Sequence, residues 1–167
     1  MSQEDSQDDI EVENSKIKPG TVLYLSEIEA NANENTTIRT IGKIVDIFGK
    51  LVLIEYQNYY IIIDIKNLDN NSTSPSKQSV YQFIGNLTLI LNDNQKKFFN
   101  ESCKLYGKDK IIPFILDAIL YRNINSMHLK TYEDSVRYKR VFLNEKIGVV
   151  QQSNIDYNNE KQEEEGW

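Results

Sequence analysis

The residue types that do chemistry are sparse in this chain. It has one Cys and one His, which excludes a disulfide framework and any Cys/His zinc site built by this chain alone. Cys103 and His128 are the conceivable nucleophile and base. They fall on different elements with nothing to orient them, so the plainer reading of Cys103 is a buried strand residue. Carboxylate pairs such as Glu133-Asp134 read as solvated surface, and no Gly-rich phosphate loop is present. The residues therefore point to binding rather than catalysis, with no cofactor and no metal.

Binding chemistry has better candidates. Single-stranded nucleic acid is held by basic side chains on phosphates and aromatic rings on bases. Tyr60, with Lys50 and Lys66 nearby, is one such group, and Lys96, Lys97 and Phe98 are another. Glu55 and Asp64 share the Tyr60 face and would repel phosphate. The bland alternative is that Tyr60 packs on its sheet and the lysines are solvated. Tyr132 to Arg140 interleaves Arg137, Lys139 and Arg140 with two tyrosines, which marks either a nucleic-acid contact or an exposed basic helix face.

Charge refines this picture. The net formal charge of the 167 residues is −6. Residues 1–15 hold Glu4, Asp5, Asp8, Asp9, Glu11 and Glu13 with no base. Residues 155–167 hold five acids against Lys161. The body between the two is mildly basic, too weakly to argue for nucleic acid by itself. Both acidic segments, 1–15 and 155–167, bury too little apolar surface to offset ordering entropy and are expected to be disordered. No apolar run approaches the roughly 20 residues of a membrane span. The acidic N-terminus lacks a signal peptide's basic and apolar regions, so an intracellular, reducing compartment is expected.

The elements that must position these groups are mostly strands. Ile38–Phe48 is rich in β-branched residues and is followed by Gly49-Lys50, a tight turn. Leu51–Tyr56 and Tyr59–Lys66 flank a second two-residue turn, Gln57-Asn58. That hairpin pairs Tyr56 with Tyr59, Ile54 with Ile61 and Val52 with Ile63 on an apolar face. Glu55 with Tyr60, Leu53 with Ile62 and Leu51 with Asp64 form the other face, which is more aliphatic than an exposed surface needs. Gly42 suggests a bulge or a barrel corner. After a polar loop at 67–79 comes a fourth strand, Val80–Leu91, interrupted by Gly85. Asn92-Asp93-Asn94 reads as a turn and Lys96–Leu105 as a fifth strand.

A helix is expected next, capped by Asp109 with Pro113 in its first turn. Ile112, Ile115, Leu116 and Ile119 mark one face and Ile111, Phe114, Ala118 and Tyr121 its neighbour. It is apolar over most of its circumference, so one face would close the barrel and the other would meet a partner. Ile111, Phe114, Ile115, Ala118, Ile119 and Arg122 are the expected partner interface. Residues 16–122 form the barrel and helix, and 123–154 an extension in which Tyr132–Phe142 reads as a short basic helix.

The order of these elements carries a resemblance. Lys18-Pro19-Gly20-Thr21, then Leu23 and Glu27, then Ile38-Arg39-Thr40-Ile41-Gly42-Lys43 resemble the opening of the smallest subunit of the CST telomere-capping complex. Val80 to Leu87 is similar to that family's fourth strand, and Tyr106 to Ile119 to its approach to a C-terminal helix. The likeness spans roughly residues 18–122. The acidic N-terminal segment and the residues after Asn123 depart from it. The resemblance implies an OB-fold, a five-stranded barrel with a C-terminal helix. It implies a heterodimer with the middle CST subunit, together with the large subunit, and binding of single-stranded G-rich telomeric DNA through the complex. It further implies work with telomerase and DNA polymerase α–primase at telomeric chromosome ends in the nucleus. The small subunit of replication protein A shares this fold and is the alternative. A barrel that binds only protein is the alternative of another class.

Overall fold

The computed structural model describes residues 20–68, 74–143 and 147; the two acidic segments and Lys18-Pro19 lie outside them. Six strands form one sheet. They are β1 (Thr21–Val22), β2 (Thr37–Phe48), β3 (Leu51–Tyr56), β4 (Tyr59–Asp64), β5 (Val80–Thr88) and β6 (Ile111–Asn123). The order is β1-β2-β3-β4-β6-β5, and β5 pairs back onto β2. Strands β2 to β6 thus close into a five-stranded barrel, the OB-fold arrangement. Among the described residues three α-helices decorate it: α1 (Ile28–Asn31), α2 (Asp93–Tyr106) and α3 (Leu129–Phe142).

The β3–β4 hairpin has the register read from sequence, all six pairs from Tyr56–Tyr59 to Leu51–Asp64. Gln57 and Asn58 both adopt positive φ, 50° and 67°, which is the twist a two-residue hairpin turn requires. Strand β2 closes the barrel by serving two neighbours. Residues Thr37 to Lys43 pair with β5, and Lys43 to Phe48 pair with β3. The bulge expected at Gly42 lies between Ile44 and Asp46. Gly42 sits one residue before the handover because a Cβ there would meet the Ile54 side chain at 2.8 Å.

Two elements differ from the sequence reading. Lys96–Leu105 is not the fifth strand; it lies within α2. Asn92 caps that helix, accepting from the Gln95 N–H at 2.8 Å while the Gln95 side chain accepts from the N–H groups of Leu91 and Asn92. Gln95, Phe98 and Ser102 are its buried stripe, a helical spacing. The segment 109–122 is not a helix; its apolar run is β6. This strand pairs in parallel with β4 and antiparallel with β5. It is apolar on both faces because both are covered. Ile112, Leu116 and Ala118 belong to the barrel core, while Ile115 belongs to a second cluster with Leu51, Leu53, Ile62 and Phe98 beneath α2. Pro113, which has no N–H to donate, falls in the interrupted stretch of the β4–β6 ladder between Ile111 and Ile115. The C-terminal helix is α3.

Gly85 fixes the last seam. The β5–β6 register jumps there, from Ile84–Leu120 to Gly85–Ala118, leaving Ile119 as the extra residue. A Cβ on Gly85 would lie 2.3 Å from the Asp117 carbonyl oxygen. Gly85→Ala is therefore expected to lower stability by about 1–3 kcal/mol, read as a reduced urea midpoint.

Candidate partner interface and nucleic-acid face

The outer face of β3 and β4 is built from Leu53, Tyr60 and Ile62, and α2 lies across it. Tyr60 stacks on Tyr106 of α2 with centroids 4.5 Å apart, and burial pushes its phenol up. Phe98 is buried and stacks on Phe48 at 5.8 Å. Both rings are thus already stacked on other side chains of the protein. Asp64 ties the two layers together: its buried carboxylate accepts from the Lys66 N–H and Nζ and from Gln95 Nε2 of α2.

The lysines fare differently. Lys50 and Lys66 line one groove of about 290 Å³, with Phe48, Gly49, Asp64 and the Asn92–Gln95 cap of α2 around them. Lys97 lies over the Phe48 ring at 5.9 Å, and Lys96 is exposed on α2. The β2–β3 turn and the start of α2 thus gather Lys50, Lys66 and Lys97 at one end of the barrel, with the exposed Phe48 ring among them. Phe48 escaped the sequence reading because nothing distinguishes it there from a last core residue of its strand.

The expected partner interface is split up. Ile111, Ile115 and Ala118 are buried in the sheet, and Phe114 packs against the core. Ile119, 38% exposed, and Arg122 reach the surface. Helical periodicity spread these residues over two adjoining faces of one helix; a strand sends its neighbours to opposite sides.

The second helix packed on the barrel is α3, and its inward face is polar and aromatic. Arg140 donates from Nη1 and Nη2 to the two carboxylate oxygens of Glu27 at 2.9 and 2.7 Å, and from Nη2 to the Val22 carbonyl at 3.0 Å. Its guanidinium covers the Tyr24 ring at 5.2 Å, and Tyr24 stacks on Tyr56. The Tyr56 hydroxyl donates to Glu133. Val136 is buried, and Tyr132 meets Gln82 of β5. The side chains of Arg140 and Glu27 are only 18% and 12% exposed. Removing one partner of such a pair costs about 3–5 kcal/mol, because the other charge stays buried and uncompensated.

Opposite these residues on the helical wheel stand Tyr138, Val141 and Phe142, spaced three and four apart. They are 67%, 76% and 86% exposed. A helix with its inner face already docked and an apolar outer face is built to bury that second face elsewhere. Their spacing was readable within the short helix expected at 132–142.

Cys103 lies on α2 and His128 precedes α3. Burial pushes the Cys103 thiol up, the reverse of an activated nucleophile. Among the described residues no group of three or more His, Cys, Asp or Glu is arranged to hold a metal.

The phenols under α3 carry a pH dependence. Burial pushes Tyr24 up to about 12, although Arg140 opposes the shift. Burial and the Glu133 hydrogen bond push Tyr56 up further, and burial raises Tyr132. An unfolded tyrosine ionises near pH 10. Unfolding therefore releases these protons above about pH 10, so the stabilisation is complete below that value and is lost as pH rises through about 12. Tyr24→Phe and Tyr56→Phe are expected to flatten this alkaline decline in thermal melts.

Residues 16–146 match the family described as telomere-capping, CST complex subunit. A chain of the Stn1–Ten1 complex of S. pombe superposes with a TM-score of 0.54 at 12% identity, covering 75% of this chain and 98% of that one. The telomere capping protein Ten1 from Saccharomyces pombe gives 0.53 at 12% identity, covering 73% and 98%. Replication protein A of U. maydis, solved with single-stranded DNA, gives 0.47 at 16% identity, covering 76% and 94%. No curated protein sequence matches the chain.

Proposed function

From the match over residues 16–146, the chain belongs to the telomere-capping, CST complex subunit family, and we propose that it serves there as the small barrel of a Stn1–Ten1-type heterodimer. Its role is architectural, not catalytic. The barrel fixes α3 through Arg140 and Glu27, and α3 offers Tyr138, Val141 and Phe142 to a helix of the middle subunit. The observation that carries this reading is the apolar outer face of a helix whose inner face is already docked. A stable interface buries on the order of 800 Å² per partner. Three residues cannot supply that alone, so exposed Ile119 and Leu143 are placed at its margin.

Single-stranded telomeric DNA is then held by the assembled complex. In this chain α2 occupies the β3–β4 face on which OB barrels commonly take a strand, so the contribution is electrostatic. Lys50, Lys66, Lys96 and Lys97 would contact phosphates at the rim, with a strong dependence on salt. The complex works at telomeric ends in the nucleus, with the large subunit, telomerase and DNA polymerase α–primase as further partners.

Phe142→Asp places a charge at the most exposed residue of the apolar face and leaves the barrel untouched. It is expected to abolish recovery of the Stn1-type subunit from the chain's own cells while the thermal midpoint is unchanged. Undiminished recovery would remove α3 from the interface. Recovery of replication protein A subunits instead would move the chain to general single-strand binding.

A further inference from the structure

The outer face of β2, β5 and β6 carries a second cleft, of about 150 Å³, lined by Arg39, Gln82, Ile84, Leu120 and Arg122. The register explains the grouping. Arg39 pairs with Ile84 and Ile84 with Leu120, while Gln82 pairs with Arg122 in the adjacent row of the same face. Tyr132 of α3 stands beside it, close enough for both Arg39 and Arg122 to act on its phenol. Of the chain's four arginines, Arg137 and Arg140 each have a carboxylate partner. Among the described residues Arg39 and Arg122 have none, and Arg39 Nε is buried without a hydrogen-bond acceptor. Two uncompensated guanidiniums in one cleft call for oxyanions, which their planar forks bind in bidentate fashion.

We propose that this cleft is the docking site of the chain's own acidic N-terminal segment, Asp8-Asp9-Ile10-Glu11-Val12-Glu13. The charges are complementary, and the segment carries no base. The tether is short. Strand β1 lies beside β2 with Val22 opposite Arg39, and the seven residues from Glu13 to Gly20 span up to roughly 25 Å. Such a linker gives an effective concentration on the order of millimolar, so weak pairing suffices. The cleft's apolar walls, Ile84 and the exposed Leu120, suit the Ile10 and Val12 that alternate with the acids. Its volume is below the roughly 300–1,000 Å³ of small-molecule pockets, so it admits side chains and not a nucleoside. This site is separate from the outer face of α3 and does not rest on the function proposed above.

The test uses the full chain with a nitroxide on Ser6→Cys in a Cys103→Ser background, observed by amide NMR. The account expects selective loss of signal at Arg39, Ile84, Leu120 and Arg122. The signals should return at high salt, in Arg39→Gln/Arg122→Gln, and in a chain neutralised by Asp8→Asn, Asp9→Asn, Glu11→Gln and Glu13→Gln. The last variant leaves the barrel unaltered and keeps the test valid if the arginine variant misfolds. Unchanged signals would overturn the proposal. So would broadening confined to the Lys50–Lys66 groove, or the same pattern arising only from a label at Gly166→Cys, which would assign the cleft to the C-terminal acids.

Discussion

The ion pair between Arg140 and Glu27 joins residues 113 positions apart and decides what the molecule can offer a partner. Glu27 ends the 3-10 turn that follows β1, and its carboxylate also accepts the Tyr24 N–H at 2.8 Å. Arg140 lies in the last turn of α3, where a cation also complements the helix dipole. Each charge is mostly withdrawn from water, and both Glu27 carboxylate oxygens and both Arg140 Nη groups are hydrogen-bonded, which is the condition under which a buried pair holds its geometry. The pair fixes the rotation of α3 about its own axis. With Arg140 and Val136 turned inward, Tyr138, Val141 and Phe142 have no position except outward. The tyrosines beneath the helix add packing area and hydrogen bonds, and they make this region the alkaline-sensitive part of the fold.

Helix α2 sets the complementary constraint. By covering Leu53, Tyr60 and Ile62 it buries a second apolar cluster, which explains why the outer face of the β3–β4 hairpin is so aliphatic. The same covering stacks Tyr60 on Tyr106 of α2 and leaves lysines at the barrel's end. The two ends of the barrel wall thus have different tasks: one is sealed and fringed with lysine, the other carries a helix with an unburied apolar face.

Much of this was legible in the sequence. The hairpin register followed from two-residue turns, because a turn of fixed length leaves no freedom to slip. The closed barrel followed from a count of five strands, of which four stand where they were read and the fifth is Ile111–Asn123; the bulge falls at Val45 and not at Gly42. The two swapped elements share one cause. An apolar run covered on both faces has no period, so Ile111–Asn123 resembles a buried helix as well as a strand. Lys96–Leu105 contains a Phe pair that reads as strand, while its real signal was the Asn92-x-x-Gln95 box in front of it. The six interface residues were displaced with the helix that was to carry them. The apolar face of α3 was within reach, since Tyr138, Val141 and Phe142 keep helical spacing; basic neighbours drew attention to nucleic acid.

Photo-crosslinking in the chain's own cells tests the central claim most directly, with a benzophenone side chain placed singly at Tyr138, Val141, Phe142 or, on the opposite side of the barrel, Lys97. The account predicts adducts with one Stn1-type subunit from the three α3 positions and none from Lys97. Adducts with that subunit from Lys97 alone would contradict it, because the partner would then sit on α2 and the outer face of α3 would be left without a role.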